Sequence, residues 1–401
     1  MKYSSQEVMQ FVKEDVKFIR LAFCDIYGKQ KNVSIMPGEI EKAFKHGIPI
    51  NPQPIAGFSD LQHSDLYLMP DPDTLSVLPW RPDHGRVVRM YCSIRNMDGS
   101  ICECDSRSIL SQAVEEAARH GITFSFGTRM EFYLFKCDEN GERTLEPHDH
   151  AGYMDIAPED RGENVRREIC LSLEQMNIHP EGSYHKEGPG QHEIDFRYAD
   201  PLTAADDETT FKSVIKTIAD RNGLYADFSP KPLKDAPGNG FHITIGAHDK
   251  DGNDMSSYVT AGILNRACDM SVILNPSPES YERLGNYKAP GYITWSAENR
   301  SQLINLSMNR DGSGLMLLRS PDAMANPYLA FALLIYAGLE GIRDQAQLCA
   351  PVNIDFDNAD ENELASLMPL PASRKKAAAI AKRSIFMNNN LPRAIIEEYC
   401  R

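Results

Sequence analysis

The stretch Phe126-Gly-Thr-Arg-Met-Glu-Phe-Tyr-Leu-Phe135 predicts a strand that extends over residues 122–136. Its aromatic residues favour a β-strand, and its apolar residues alternate with Arg129 and Glu131. Side chains two residues apart project from the same face of a strand. We therefore expect Arg129 and Glu131 to face one cavity together, which makes this face the first candidate for a functional surface.

Further elements are predicted on both sides of this strand. The other strands cover residues 191–198, 240–248 and 301–308, and helices cover residues 162–177, 209–222, 256–274 and 326–343. Another amphipathic helix begins at Ser106, a suitable N-cap, and ends at Gly121. Because helices and strands are mixed rather than strictly alternating, the order indicates an α+β fold with an antiparallel core.

The N-terminal part of the chain consists of short elements. Strands are predicted at residues 16–23 and 86–94, with a turn at residues 25–28. The segment between these strands is rich in proline, which does not fit inside a central strand, so we expect loops there. A domain boundary is predicted near Asp105, which gives domains over residues 1–104 and 105–401.

Composition restricts the class of protein. Of 401 residues, 42% are hydrophobic and 25% are charged, which is ordinary for a globular protein. The formal net charge of −15 argues against a nucleic-acid-binding surface, since phosphates are bound by clustered lysine and arginine. No apolar run approaches the ~20 residues of a membrane span, and residues 1–8 lack the apolar core of a signal peptide, so we expect a cytoplasmic protein without a membrane partner. The 9 cysteines form no C-x-x-C pair and are expected to be reduced.

A set of motifs, in order along the chain, resembles the glutamine synthetase family, and its type I members in particular. The motifs are Asp25-Ile-Tyr-Gly-Lys29, Ile55-Ala-Gly-Phe58 with His63-Ser-Asp65, the stretch over residues 126–135, Gly190-Gln-His-Glu-Ile194, Phe228-Ser-Pro-Lys-Pro232 with Gly238-Asn-Gly-Phe-His242, Asn299-Arg300-Ser301, and the segment from Arg319 to Tyr328. The resemblance runs from about residue 15 to 395. It implies a small N-terminal β-grasp domain and a large catalytic domain with a curved antiparallel sheet.

The resemblance also implies a chemistry. The family phosphorylates the side-chain carboxylate of glutamate with ATP, and ammonia then displaces the phosphate. Phosphoryl transfer depends on positioning and on charge neutralisation, which two Mg²⁺ or Mn²⁺ ions and several arginines supply. Such hard cations take carboxylate oxygens as ligands. The expected cofactors are therefore ATP and Mg²⁺ or Mn²⁺, and the expected substrates are a glutamate-like acid and an amine.

Individual residues receive roles from the same resemblance. Positions that match metal ligands are Glu131, Glu193 and His242, and Glu187 is a possible substitute one residue from a third glutamate position. Positions that match arginines at the phosphate and the substrate carboxylate are Arg300, Arg319 and Arg283. The substrate-binding positions are Gly238, His242, Arg283, Lys288, Asn51 and Asp65, of which the last two would enter from an adjacent chain.

Several positions depart from the family pattern. Arg129 and Leu317 replace two glutamates of one metal site, and Lys186 replaces a glutamate of the other. Cations thus stand at three positions where carboxylates are expected, Arg129, Lys186 and Lys288. Because a buried cation repels a divalent ion, at most one metal site is expected to be well formed. The Arg129 guanidinium is expected to replace part of the lost metal charge in catalysis.

Ammonium handling is altered as well. Lys288 replaces a glutamate that deprotonates ammonia, and Asn51 replaces an aspartate that binds ammonium. Ordinary glutamine synthesis is therefore expected to be weakened or lost. Two hypotheses remain: an ATP-dependent carboxylate–amine ligase, and a non-catalytic regulatory relative that binds an anionic metabolite or a nucleotide. For both, the resemblance implies a homo-oligomer, either a hexameric ring or a dodecamer.

Each candidate side chain also has a purely structural interpretation. Glu131 and Glu193 could be strand glutamates that face solvent, and His242 could be a hydrogen-bonded core histidine. Arg129 could be a surface arginine, and Gly238 could serve turn geometry alone. The motif context favours the functional interpretation without excluding the structural one.

Overall fold

The computed structural model describes residues 3–58, 64–81, 85–308, 314–356 and 359–401. His63, which belongs to one of the sequence motifs, lies outside the described residues. Among the helices of the described part, none combines the length and apolarity that a membrane crossing requires. Two sheets organise the fold, one in the N-terminal part and one in the remainder of the chain.

The N-terminal sheet has the strand order β2-β1-β6-β4-β3, with β5 paired to β6. Its strands β1 and β6 run parallel, whereas its other pairs are antiparallel. The elements of this part are α1 (Ser5–Asp15), β1 (Val16–Cys24), β2 (Gln30–Ile35), α2 (Ile40–His46), β3 (Ile48–Ile50), β4 (Leu66–Pro70), β5 (Ser76–Val77) and β6 (Arg86–Arg95).

The second sheet has the order β13-β14-β15-β12-β7-β10-β9, and β8 and β11 also pair with β7. All of these pairs are antiparallel except β13 with β14, which run parallel, so the expected antiparallel sheet is in fact mixed. Its strands are β7 (Ile122–Cys137), β8 (Arg143–Pro147), β9 (Pro180–His185), β10 (Gln191–Ala199), β11 (Leu224–Asp227), β12 (Phe241–Asp249), β13 (Trp295–Ser296), β14 (Ile304–Met308) and β15 (Gly314–Leu318).

Helices cover one face of the second sheet. The helices of this part are α3 (Ser106–Arg119), α4 (Glu163–Gln175), α5 (Pro201–Arg221), α6 (Ser256–Leu274), α7 (Pro278–Arg283), α8 (Pro327–Arg343), α9 (Glu361–Ala365), α10 (Arg374–Arg383), α11 (Ile385–Asn390) and α12 (Arg393–Tyr399). Phe126 on β7 stacks on Phe331 of α8, with ring centroids 4.3 Å apart, and Phe132 contacts Phe211 of α5 edge to face. These even-numbered residues of β7 therefore build the core, which leaves its odd-numbered residues to the opposite face.

Most predicted elements are confirmed, with differences at their ends. The strand predicted over residues 122–136 is β7, and the helix predicted over residues 256–274 is α6. The helix predicted over residues 209–222 begins earlier, at Pro201, because the Asp200 side chain accepts a hydrogen bond from the backbone N–H of Thr203. The N-cap of α3 is Asp105 rather than Ser106, since its carboxylate accepts the N–H of Arg107.

Candidate functional site

Strand register brings five polar side chains to one face of the second sheet. Glu131 on β7 lies opposite Glu193 on β10, and Arg129 lies opposite Asp195 on β10 and His242 on β12. Directly opposed residues of an antiparallel pair share a face. This surface, made of Arg129, Glu131, Glu193, Asp195 and His242, is called the polar face below, and it lies opposite the helix-covered core.

Lys186 joins two of these carboxylates. Its Nζ lies 2.9 Å from Glu131 Oε1 and 3.0 Å from Glu193 Oε2. The remaining oxygens of the pair also have donors, because the Gly240 N–H donates to Glu131 Oε2 at 2.6 Å and the Tyr184 hydroxyl donates to Glu193. Every oxygen of the two carboxylates is therefore bonded within the chain.

The pKa values of the two carboxylates differ. Burial opposes ionisation of Glu131, but the Lys186 ammonium and the Gly240 N–H hold its pKa well below the usual range. Burial raises the pKa of Glu193 to about 7, despite the opposing effect of Lys186. Since one ammonium serves two buried carboxylates, Glu131 is the ionised member of the pair and Glu193 titrates near neutral pH.

His242 completes a group of possible metal ligands. Ligand atoms of Glu131, Glu193 and His242 lie within 4.8 Å of one another, and all three residues are buried. Burial lowers the pKa of His242 well below its usual value, with partial opposition from Glu131, so the imidazole is neutral and able to ligate. The donor types suit a divalent cation, but the Lys186 ammonium lies between the two carboxylates, so these residues do not fit a metal ion as they are arranged.

Arg129 does not stand between the glutamates. Its Nε lies 3.9 Å from Asp195 Oδ2, and its side chain is 36% exposed. The physical reason is register, because Asp195 and His242, rather than Glu193, are the residues opposite Arg129. The cation that reaches the carboxylate pair is Lys186.

The predicted arginines differ in how they are used. Arg283 is buried, and its guanidinium donates to the backbone carbonyls of Ser320 at 2.9 Å and of Arg319 at 3.2 Å. Arg319 donates through Nη1 to the Lys288 carbonyl at 3.1 Å, and burial lowers its pKa to about 10. Arg300 is exposed, and its charge acts on Arg319. Arg283 thus shapes the segment that carries Arg319.

Glu187 and Lys288 lie together at the rim of the site. Lys288 Nζ lies 3.3 Å from Glu187 Oε1, and both side chains are exposed. Lys288 adopts a positive φ of 64°, in a turn that Arg319 holds through the Lys288 carbonyl. The structure therefore places Glu187 beside Lys288 and outside the group of Glu131, Glu193 and His242.

Two glycines line the same pocket. A Cβ on Gly238 would lie 2.2 Å from the Pro230 carbonyl oxygen, so this backbone has no space for a side chain. A Cβ on Gly240 would lie 2.6 Å from His242 Nε2. Both glycines are needed for close packing, and Gly240 in addition bonds Glu131.

Asn51 and Asp65 belong to the N-terminal sheet instead. They flank the short β3–β4 pair, in which Ile50 lies opposite Leu66, and both are exposed. Asn51 accepts a hydrogen bond from the Gln53 N–H at 3.0 Å. Their predicted entry into the site of an adjacent chain stays a prediction.

A buried group next to the pair was missed by sequence reasoning. His185 Nε2 lies 2.8 Å from Asp149 Oδ1, and its Nδ1 lies 2.7 Å from the Lys186 carbonyl oxygen. Since both ring nitrogens face acceptors, the arrangement favours the doubly protonated imidazolium, which pairs with the buried Asp149 carboxylate. No local signal reveals it, because Asp149 lies 36 residues earlier in the chain.

Comparison with known proteins gives the class of the chain. The family model "Glutamine synthetase, beta-Grasp domain" matches residues 15–97, and "Glutamine synthetase, catalytic domain" matches residues 103–401. These matches and the fold define a two-domain protein with a β-grasp domain and a ligase-type catalytic domain. The chain belongs to the glutamine synthetase family.

Relatives are similar over nearly the whole chain. The glutamine synthetase of Clostridium saccharobutylicum is 41% identical over 376 residues, with 90% of this chain and 85% of that protein covered. The glutamine synthetase of Methanosarcina mazei is 40% identical over 413 residues, with coverages of 99% and 92%. A structure described as a GmaS/ADP complex has a TM-score of 0.86 and 25% identity, and covers 100% of this chain and 94% of that one.

Proposed function

We propose that this chain is an ATP-dependent ligase that joins an amine to the carboxylate of glutamate or a similar acid. Relatives named glutamine synthetase support the reaction class, and the structural relative with bound ADP supports a nucleotide site. The observation that carries the proposal is the partly buried Arg319 guanidinium beside the polar face of a family catalytic fold. Phosphoryl transfer depends on such charge neutralisation.

Residues of the chain take separate parts in this proposal. Arg319 and Arg129 would bind anionic groups, since guanidinium donors match phosphate and carboxylate oxygens. Arg300, exposed at the same side, would contact the nucleotide phosphates. Neutral His242 would donate or accept a hydrogen bond at the reacting group. ATP would bring its own Mg²⁺ or Mn²⁺.

The amine side of the site supports slower use of free ammonia than in the relatives. The positions expected to bind and deprotonate ammonium carry Asn51 and Lys288, so neither supplies the carboxylate that the family pattern has there. Lys288 is moreover paired with Glu187 at 3.3 Å. We therefore propose weakened glutamine synthesis, with a less basic or larger amine as the better substrate.

The test is ADP release from ATP with glutamate and a panel of amines, from ammonium to longer primary amines. We expect release that depends on both acid and amine, and a loss of about 10²–10³-fold in kcat for Arg319→Ala, as when one charge-stabilising donor is removed. Arg319→Lys keeps the charge and is expected to lose less. ADP production at the background level with every amine would contradict the ligase proposal.

A second candidate function is a non-catalytic relative that binds a nucleotide or another anion. The full bonding of the Glu131 and Glu193 oxygens favours it, because a family catalyst would need these oxygens for metal. Calorimetric titration with ATP, with and without Mg²⁺, separates the candidates. Binding without Mg²⁺ and without turnover supports the second, and amine-dependent ADP release contradicts it.

We further propose that the chain forms a homo-oligomeric ring, as a hexamer or a dodecamer. In such a ring Asn51 and Asp65, exposed beside β3 and β4, would reach the polar face of a neighbouring subunit. A domain boundary between residues 104 and 105 and a cytoplasmic location complete the proposal.

A further inference from the structure

We infer that the Lys186 ammonium is a resident cation of the Glu131–Glu193 pair and excludes a divalent metal ion from it. The inference concerns the same site as the proposed ligase function, but it depends on binding and not on turnover. It extends the sequence-based expectation, in which Lys186 stands at a glutamate position of this site and Arg129 replaces part of the charge of a metal lost from the other site. The ammonium fills the space between the carboxylates, the lysine is anchored there, and its charge balances the pair.

The Lys186 ammonium occupies the space between the two carboxylates. The ammonium lies 2.9 and 3.0 Å from one oxygen of each carboxylate, so it fills the space that a shared cation would occupy. Mg²⁺ binds oxygens at about 2.0–2.1 Å in a nearly ideal octahedron, and in this space it would meet the ammonium and be repelled by its charge. The other two oxygens accept from Gly240 and Tyr184. A metal ion would thus have to displace at least one protein donor.

Lys186 is also anchored at its backbone. Its N–H donates to the Gln191 carbonyl at 2.8 Å, and its carbonyl accepts from His185 Nδ1 at 2.7 Å. His185 is in turn fixed by Asp149, which is buried with it. The start of the side chain therefore cannot move away from the pair without breaking buried hydrogen bonds.

The end of the side chain is enclosed too. The rings of Tyr184 and Tyr153 lie 5.7 and 5.9 Å from Lys186 Nζ, within the range of a cation–π contact. The lysine side chain is only 14% exposed. Displacement of the ammonium would leave the two buried carboxylates without a counter-charge, which costs free energy.

The experiment measures Mn²⁺ binding to the full-length protein without nucleotide, at pH 8, by electron paramagnetic resonance of free Mn²⁺ and by calorimetry. The variant Lys186→Glu turns the pair into three carboxylates beside neutral His242. In the unaltered protein we expect no Mn²⁺ binding that depends on Glu131. In Lys186→Glu we expect one Mn²⁺ to bind at least tenfold more tightly than any Mn²⁺ binds to the unaltered protein. Lys376→Glu on α10 changes the net charge equally and is expected to gain nothing.

Further variants identify the residues that bind the gained Mn²⁺. Glu131→Gln in the Lys186→Glu background should abolish the gained Mn²⁺, which excludes exposed acidic groups as its ligands. If the unaltered protein binds Mn²⁺ and Glu131→Gln removes it, the inference is wrong. It is also wrong if a folded Lys186→Glu protein, verified by circular dichroism, gains no ion. Should Lys186→Glu not fold, the comparison of the unaltered protein with Glu131→Gln still decides. None of these results depends on ADP release, so failure of the ligase proposal is a separate outcome.

Discussion

At the level of single residues, Gly240 has the most direct influence on the site. Its N–H donates to Glu131 at 2.6 Å, and its missing side chain lets His242 and Arg283 approach the same backbone. One residue thus fixes the ionised carboxylate and the position of the imidazole. A methyl group at this position has no space available.

Gly240→Ala is therefore predicted to disturb the pocket. The added Cβ would lie 2.6 Å from His242 Nε2 and 3.0 Å from Arg283 Nη2, and such overpacking costs about 1–3 kcal/mol of folding free energy. Urea unfolding measures the cost. Gly38→Ala is the matched control, since its Cβ would meet no described atom within 4 Å, and we expect its change to stay within about 0.5 kcal/mol. Equal stability of the two variants would contradict this account.

Sequence reasoning succeeded in part at this level. The two-residue period of a strand correctly placed Arg129 and Glu131 on one face. The family resemblance put Lys186 at a third ligand position beside Glu131 and Glu193, but it could not give the contacts of the ammonium, because these depend on the register that sets Glu193 opposite Glu131 and Asp195 opposite Arg129. Glu131 and Glu193 lie 62 residues apart in the chain, so their register is set by tertiary packing and not by local pattern.

At the level of elements, the β9–β10 connection decides where Lys186 lies. Asp149, which precedes β9 in the chain, fixes this connection through hydrogen bonds. Its Oδ1 accepts from the Gly190 N–H at 3.1 Å and from His185 at 2.8 Å. Its Oδ2 accepts from the Arg161 N–H at 3.0 Å. Burial alone would lower the pKa of His185, but its hydrogen bonds to Asp149 and to the Lys186 carbonyl raise it above the usual value.

A pH dependence of stability follows from this ion pair. Because the folded-state pKa of His185 is raised, its contribution is fully present below the unfolded value of about 6.5 and is lost as pH rises through the folded value. We expect the unaltered protein to lose more unfolding free energy between pH 6 and pH 9 than His185→Gln. The measurement is urea unfolding at each pH, and the exposed His179→Gln serves as control. A parallel pH profile for His185→Gln would show that His185 is neutral throughout.

Elements themselves were predictable to different degrees. Long apolar helices, such as α6 and α8, matched their predicted ranges closely. Short strands, such as β13 with two residues, carry too few side chains for a periodic signal. The parallel pairing of β1 with β6 and of β13 with β14 is a property of chain topology, which local sequence does not contain.

At the level of the whole molecule, α5 connects the N-terminal sheet to the remainder of the chain. The Arg107 guanidinium bonds Asp206 at 2.9 Å and Asp71 at 2.9 Å, and the Tyr328 hydroxyl donates to Asp206 at 2.7 Å. The Tyr91 hydroxyl of β6 donates to the Asp206 carbonyl at 3.0 Å. This network fixes the N-terminal sheet relative to the second sheet. Asn51 and Asp65, which are exposed, therefore have a defined position relative to the second sheet.

A mixing experiment tests the proposed ring on this basis. If Asp65 of one subunit completes the site of its neighbour, an Asp65→Ala subunit keeps its own Arg319, and an Arg319→Ala subunit offers an intact Asp65. Both variants alone should show strongly reduced ADP release, and random co-assembly in equal amounts should restore about one quarter of the sites, as expected for a closed ring with heterologous interfaces. Arg319→Ala mixed with Glu131→Ala is the control. Because one subunit supplies both of these residues to its site, no site in a mixed ring contains both unaltered residues, and no recovery is expected. The two variants carry different affinity tags, and purification through both tags in turn isolates the mixed rings. If neither mixture regains activity in these rings, each subunit carries a complete site of its own.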